Sequence, residues 1–212
     1  AEAGVFSLDF AKTITTGEGG LIVTDNLEYY TLAKEYHDHG HQSNPAYPRG
    51  RDTRRIPGMN YRMSEMQGAV GVAQLKKLDD IVKCNRANKF FLKGNINSTK
   101  INFRKITDEE GDLADTLIFN FDNGHKTKIF LKEYNSKGYF TKNIPDAIDW
   151  HFSGTWNHMF NNVPAYKNTW QTEWSKSAEL LGRSISIPIY VKTSKEELEK
   201  HLEVINGILE NL

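Results

Sequence analysis

The run Phe6-Ser7-Leu8-Asp9-Phe10-Ala11-Lys12-Thr13-Ile14-Thr15-Thr16-Gly17-Glu18-Gly19-Gly20 decides how the rest of the sequence is read. Two β-rich runs flank its ends, Val5-Phe6-Ser7-Leu8 and Leu21-Ile22-Val23-Thr24, so the threonine- and glycine-rich part joins strand to strand. Lys12 follows the first strand and sits among the hydroxyls of Ser7, Thr13, Thr15 and Thr16. A lysine just past a buried strand is partly desolvated and becomes a usable nucleophile; a lysine in a solvated loop does not, and spacing alone leaves both readings open. The glycines permit a tight turn or a close backbone approach, and by themselves signal a hairpin. They do not make a nucleotide P-loop, because the Gly-Lys-Ser/Thr ending is missing.

Outward from this run, Asp25 or Asn26 can cap a helix over residues 27–36, which Gly40 ends. Residues 42–58 carry Pro45, Pro48, Gly50 and Pro57 and read as a loop. Ser64-Glu65-Met66-Gln67 is a capping box, and the helix it opens is expected to run past Asn85. Gly68 and Gly71 each cost that helix about 1 kcal/mol relative to alanine, so it is expected to pack closely against another backbone. After Gly94 the texture becomes short and alternating. Strands are expected at 101–106, 116–121, 139–142 and 184–189, and helices at 126–134 (ended by Gly138), 169–181 and after the capping box at Ser194. The mixture is α/β or α+β with a boundary near residue 95.

The chain has 212 residues, 27 Lys plus Arg and 27 Asp plus Glu, and the resulting zero net charge excludes a generic electrostatic nucleic-acid binder. With 38% hydrophobic residues it has material for a packed core. No apolar run reaches bilayer-spanning length and no signal-peptide pattern opens the chain, so no membrane partner is expected. One cysteine, Cys84, fits a reducing cytoplasm. The sequence does not begin with methionine, and a start partway through a larger protein is expected.

The opening run resembles the lysine segment of the DegT/DnrJ/EryC1/StrS family of pyridoxal-phosphate-dependent sugar aminotransferases. The resemblance continues at His39-Gly40 and at Gly58-Met59-Asn60-Tyr61-Arg62-Met63-Ser64-Glu65-Met66-Gln67, then at His151-Phe152, Trp156 to His158, Pro164-Ala165-Tyr166, Ser184 to Pro188 and the last helix. It implies the α/β aspartate-aminotransferase fold (fold type I), with residues 1–94 ending the large cofactor-binding domain and 95–212 forming the small α+β domain. It also implies roles. Lys12 matches the residue that joins covalently to pyridoxal 5'-phosphate and later shuttles a proton, Ser7 a hydroxyl on the cofactor phosphate, and Asn60 an asparagine that reaches the neighbouring subunit's cofactor across a homodimer. Relatives with histidine at the lysine position act as dehydratases, so Lys12 favours amino transfer. Asp9 departs from the aromatic or histidine-containing pattern of relatives, and a structural role is expected for it. Family members run to nearly twice this length, and the half they carry before the lysine supplies the group that pairs with the pyridine nitrogen. Alone, the present stretch is expected neither to hold cofactor well nor to bury its core.

Two more clusters invite chemistry. His37-Asp38-His39-Gly40-His41 could chelate a metal from a strand, but it ends a helix, where residues two apart diverge, so no metal site is expected and the histidines suit the helix dipole instead. Arg49, Arg51, Arg54 and Arg55 place four guanidinium groups in seven residues. They are either a site for an anionic substrate or a solvated run. The resemblance adds His39, Arg51, Arg54 and His158 as candidate substrate contacts. Trp150, Trp156, Trp170 and Trp174 read as core and interface. The function implied is transfer of an amino group, with glutamate the usual donor, to a carbonyl-bearing sugar for lipopolysaccharide or surface polysaccharide. The 40–54 loop is similar to the branch that aminates an 8-oxo-3-deoxy-octulosonate; the alternatives are a nucleotide-linked keto sugar and a non-catalytic relative that regulates or scaffolds.

Overall fold

The computed structural model describes residues 1–145, 148–166 and 170–212, with the side chains of Ser98, Trp170 and Gln171 outside the described set. The chain divides into two compact units, Ala1–Asp79 and Asp80–Leu212. The division falls in the first turn of a helix that the sequence had assigned to the first domain, whose end was expected near residue 95.

In the first unit, β1 (Gly4–Ser7) pairs antiparallel with β2 (Gly20–Val23), in the register Gly4 to Val23 and Ser7 to Gly20. Asn26 supplies the cap of α1 (Leu27–Tyr36), its Oδ1 accepting the N–H groups of Glu28 and Tyr29. Ser64 and Gln67 close the expected capping box at the start of α2 (Glu65–Leu75). That helix does not run on past Asn85. It stops at Lys76, and the Lys77 N–H turns back to the Gln74 carbonyl at 3.0 Å before α3 (Leu78–Asn95) begins. A two-stranded sheet buries neither of its faces. Phe6 and Ile22 are accordingly 56% and 60% exposed, and Leu8 is the one buried hydrophobic side chain described in this unit.

The second unit has its own core. β3 (Asn102–Phe103), β4 (Thr116–Asn120) and β5 (Ser184–Pro188) form an antiparallel sheet in that order. Cross-strand partners Leu117 with Ile187 and Phe119 with Ile185 share one face. α4 (Gly124–Ser136) covers that core with Thr127, Phe130 and Tyr134, spaced three and four residues apart as one helical stripe requires. α9 (Lys195–Glu210), opened by the Ser194–Glu197 capping box, adds Leu198, Ile205 and Leu209. Rings at 5.4–5.8 Å chain Phe121, Phe119, Phe130 and Tyr134 together. Between α4 and β5, the described residues form the short α-helices α5 (Ile148–His151), α6 (Asn157–Phe160), α7 (Trp170–Glu173) and α8 (Ser175–Gly182).

Several expected elements differ. The strand read at 101–106 is only two residues long. Residues 139–142 are not a strand: Gly138, at φ +82°, reverses the chain after α4, and the chain meets β5 at Ser186, whose carbonyl accepts the Lys142 N–H at 2.8 Å and whose N–H donates to the Ile144 carbonyl at 3.0 Å. The helix expected over 169–181 is two helices broken at Trp174, and its first residue, 169, lies outside the described residues.

Candidate active site

Lys12 is presented by a turn that its neighbours build. After β1 the Leu8 N–H donates to the Gly19 carbonyl at 2.9 Å and Leu8 accepts from the Thr16 N–H at 3.0 Å, which closes the neck of the loop. Inside the loop, Asp9 organises three groups. Its Oδ1 accepts the Ala11 N–H at 2.9 Å, its carbonyl accepts the Lys12 N–H at 3.0 Å, and its own N–H donates to Ser7 Oγ at 3.3 Å. The carboxylate turn is a standard way for aspartate to fix a bend, and it gives the unusual Asp9 a structural role. It also brings the Ser7 hydroxyl and the Lys12 amine onto one turn.

Of the two readings left open for Lys12, the structure shows the exposed one. Its ammonium has no partner among the described residues, and the strand before it is largely exposed as well. The far side of the loop is firmly seated. Buried Thr16 donates to the Glu18 carbonyl at 2.7 Å, and Gln67 Nε2 on α2 donates to the same carbonyl at 2.8 Å. Gly71 is where the thin helix meets the loop: a Cβ there would stand 3.2 Å from Thr16 Cγ2, a side-chain contact where a backbone contact was expected. Gly68 meets nothing within 4 Å.

Asn60 and His39 are brought together on a short ladder. The His39 N–H donates to the Met59 carbonyl at 3.0 Å and the Tyr61 N–H to the His37 carbonyl at 2.9 Å, with Asp38 and Asn60 as bridge partners. His39 (φ +57°) and Gly40 (φ +78°) turn the chain out of α1. A side chain at Gly40 would place its Cβ 2.2 Å from the Ile56 carbonyl oxygen, so only glycine fits. His37 Nδ1 lies 2.6 Å from the Lys34 carbonyl and caps the helix end. No group of three or more metal-ligating side chains converges among the described residues.

The four arginines separate into two kinds. Arg49 forks onto both oxygens of Asp38 at 2.9 Å, and Arg55 Nε donates to the buried Glu35 at 2.8 Å. Arg51 has no partner among the described residues, and Arg54 Nη2 meets His41 Nε2 at 3.1 Å. The loop itself is tied by Asp52, whose Oδ2 accepts the Ser43 N–H at 2.7 Å and whose Oδ1 accepts those of Asn44 at 3.0 Å and Thr53 at 2.9 Å. Burial pushes the Asp52 carboxyl up, but these backbone donors, with His41 beside it, outweigh that and hold it below the usual carboxylate range. The sequence reading missed Glu35, Asp38 and Asp52. The signal available was the balance of charge, which requires as many acids as bases.

His158 lies on α6 in the second unit and is exposed. Trp156 beside it stacks on Phe160 at 6.4 Å, and Phe160 meets Trp174 at 5.4 Å, in keeping with packing roles for these two tryptophans. Trp150 is 79% exposed and belongs to no described core. The side chain of Trp170 lies outside the described residues.

The donor set suits a phosphorylated aldehyde. Lys12 offers an unpaired primary amine. Ser7 Oγ accepts one bond and keeps its hydroxyl proton to give, and Asn60 Oδ1 accepts from Arg62 Nε at 3.1 Å, which leaves the amide N–H groups for an anion.

The family profile described as the DegT/DnrJ/EryC1/StrS aminotransferase family matches residues 1–206. The chain belongs to this family. GDP-perosamine synthase of Escherichia coli O157:H7 is 35% identical over 97 residues, a stretch that covers 46% of this chain and 25% of that protein. Among solved structures, the Helicobacter pylori aminotransferase PseC, involved in the biosynthesis of pseudoaminic acid, superposes with a TM-score of 0.77 at 19% identity, over 100% of this chain and 54% of that one. The E. coli GDP-4-keto-6-deoxy-D-mannose-3-dehydratase with bound hydrated PLP gives 0.75 at 23% identity, over 96% and 54%. The chain therefore has the mixed helix-and-sheet architecture of fold type I, and it spans about half the length of the solved structures it matches.

Proposed function

We propose that this chain carries the lysine of a pyridoxal-phosphate-dependent aminotransferase that moves an amino group, with glutamate as donor, onto the carbonyl carbon of a sugar. The observation that carries the proposal is the match of residues 1–206 to the aminotransferase family, with Lys12 and Ser7 both tied to Asp9 on one turn. When bound, pyridoxal phosphate supplies the electron sink for breaking the bond to hydrogen at the amino-bearing carbon. Lys12 Nζ would hold the cofactor covalently and would carry the proton released from that carbon. Ser7 Oγ would donate to the phosphate, and Asn60 Nδ2 would donate to the phosphate held by the second copy of a homodimer. Some similar proteins are dehydratases, and the amine at Lys12 is what favours transfer over dehydration. Retention of Lys12, Ser7 and Asn60 together opposes a non-catalytic regulator or scaffold.

The names of the similar proteins support a nucleotide-linked keto sugar as acceptor. A second reading, a free acid sugar such as 8-oxo-3-deoxy-octulosonate destined for lipopolysaccharide, is favoured by the charges of Arg51 and Arg54, which no carboxylate among the described residues offsets. Kinetics with a nucleotide-linked 4-keto sugar and with the free acid sugar decide between them, and the acceptor that shows no turnover is removed. The single cysteine suits a cytoplasmic setting for either, and no described helix is long and apolar enough to cross a membrane. The first test is an absorbance spectrum with pyridoxal phosphate before and after borohydride, with the mass of the labelled peptide. In the protein that also carries the half preceding the lysine in relatives, a visible band fixed by reduction on Lys12 is expected, and its loss in Lys12→Ala. There, a label elsewhere, or none, overturns the assignment.

A further inference from the structure

Arg54 is held differently from the other paired arginines of its loop. Arg49 and Arg55 meet the carboxylates of Asp38 and Glu35, which neutralise them. Arg54 meets an imidazole. A guanidinium has only N–H groups to offer, so His41 Nε2, 3.1 Å from Arg54 Nη2, must present its lone pair. The ring proton then sits on Nδ1, which lies 3.4 Å from Asp52 Oδ2 without a hydrogen bond to it. His41 is only 8% exposed, and Asp52 is pinned by three backbone N–H groups, so the imidazole has little freedom to turn. His41, buried beside Asp52, thus holds a guanidinium that meets no carboxylate among the described residues. Arginine holds five N–H donors in a plane, and one is used here. The rest, with the unpartnered Arg51, face no acid among the described residues.

We infer that His41, held in its buried place, is a positioning residue that aims Arg54 at an anionic group of the acceptor sugar, a carboxylate or a phosphate. The substrate part of this inference rests on the aminotransferase reading above, while the His41 geometry does not.

The test is calorimetric binding of two probes, inorganic pyrophosphate and D-glucuronate, to the protein saturated with pyridoxal phosphate. Binding of pyrophosphate assigns the anion to a nucleotide diphosphate, and binding of glucuronate assigns it to an acid sugar. His41→Ala and Arg54→Ala should each weaken the bound probe about tenfold, the size of a lost charge-assisted hydrogen bond. The double variant should be no weaker than either single one, because the two residues act as one unit. His41→Gln, whose Oε1 can accept where Nε2 does, should restore affinity to within about threefold. Asp52 is left intact, since its loss would undo the loop. Nitrogen NMR of the His41 ring should find the proton on Nδ1. Failure of both probes to bind, additive single losses, no rescue by glutamine, or a proton on Nε2 overturns the inference. Failure of the Lys12 label with binding intact removes the aminotransferase reading alone.

Discussion

Asp9 shows how one side chain sets a site. Replacing it with alanine removes the acceptor for the Ala11 N–H and frees the turn that carries Lys12. Asp9→Ala should therefore slow the formation of the borohydride-fixed Lys12 label with little loss of global stability, because the turn is exposed. Gly40 is the opposite case. With φ +78° and a carbonyl oxygen 2.2 Å from where a Cβ would go, Gly40→Ala is expected to cost about 2 kcal/mol or more, read as a drop in urea midpoint. His201 gives a pH prediction. Its Nε2 lies 2.6 Å from the Tyr134 hydroxyl and its ring stacks on Tyr139 at 4.5 Å. Burial lowers its pKa to about 4. The unfolded chain takes up this proton near pH 6.5 and the folded chain resists it. The contribution is therefore present in full above about pH 6.5 and is lost as pH falls toward 4, by about 3 kcal/mol at most. Urea unfolding at pH 7.5 and 4.5 should show this loss, and His201→Phe should flatten it.

At the scale of elements, caps behaved as local chemistry requires. Ser64 and Ser194 each cap the helix the sequence assigned to them, and of the two candidates Asp25 and Asn26 it is Asn26 that caps α1, since a cap needs only three or four consecutive residues. Ser194→Ala should cost α9 about 1 kcal/mol, measured as a fall in Tm. Lengths were harder to read. Nothing in Leu75-Lys76-Lys77-Leu78 breaks a helical pattern, yet the ladder stops there. The two glycines of α2 looked alike in sequence and differ in the fold, because Gly71 meets Thr16 and Gly68 meets open space. Gly68→Ala should accordingly stabilise the helix, by up to about 1 kcal/mol, and Gly71→Ala should gain less or nothing.

At the scale of the whole molecule, the apolar residues are unevenly used. The hydrophobic cluster runs from Leu92 to Leu209 and falls entirely in the second unit, while the hairpin of the first exposes Val5, Phe6, Ile22 and Val23. A fragment of residues 80–212 should therefore unfold in one cooperative transition with near-ultraviolet dichroism intact, and a fragment of residues 1–79 should show no such transition. By itself the sequence determined the family, the capped helices and the strands that flank the loop, because each is written in a few adjacent residues. Only the tertiary structure sorted the arginines. Which guanidinium meets Asp38, Glu35 or His41 depends on residues eleven to twenty positions apart, and no local pattern records whether a charge is met by a carboxylate or by a lone pair. The exposure of Lys12 was hidden for the same reason, since desolvation is a property of what packs on a strand and not of the strand's own sequence.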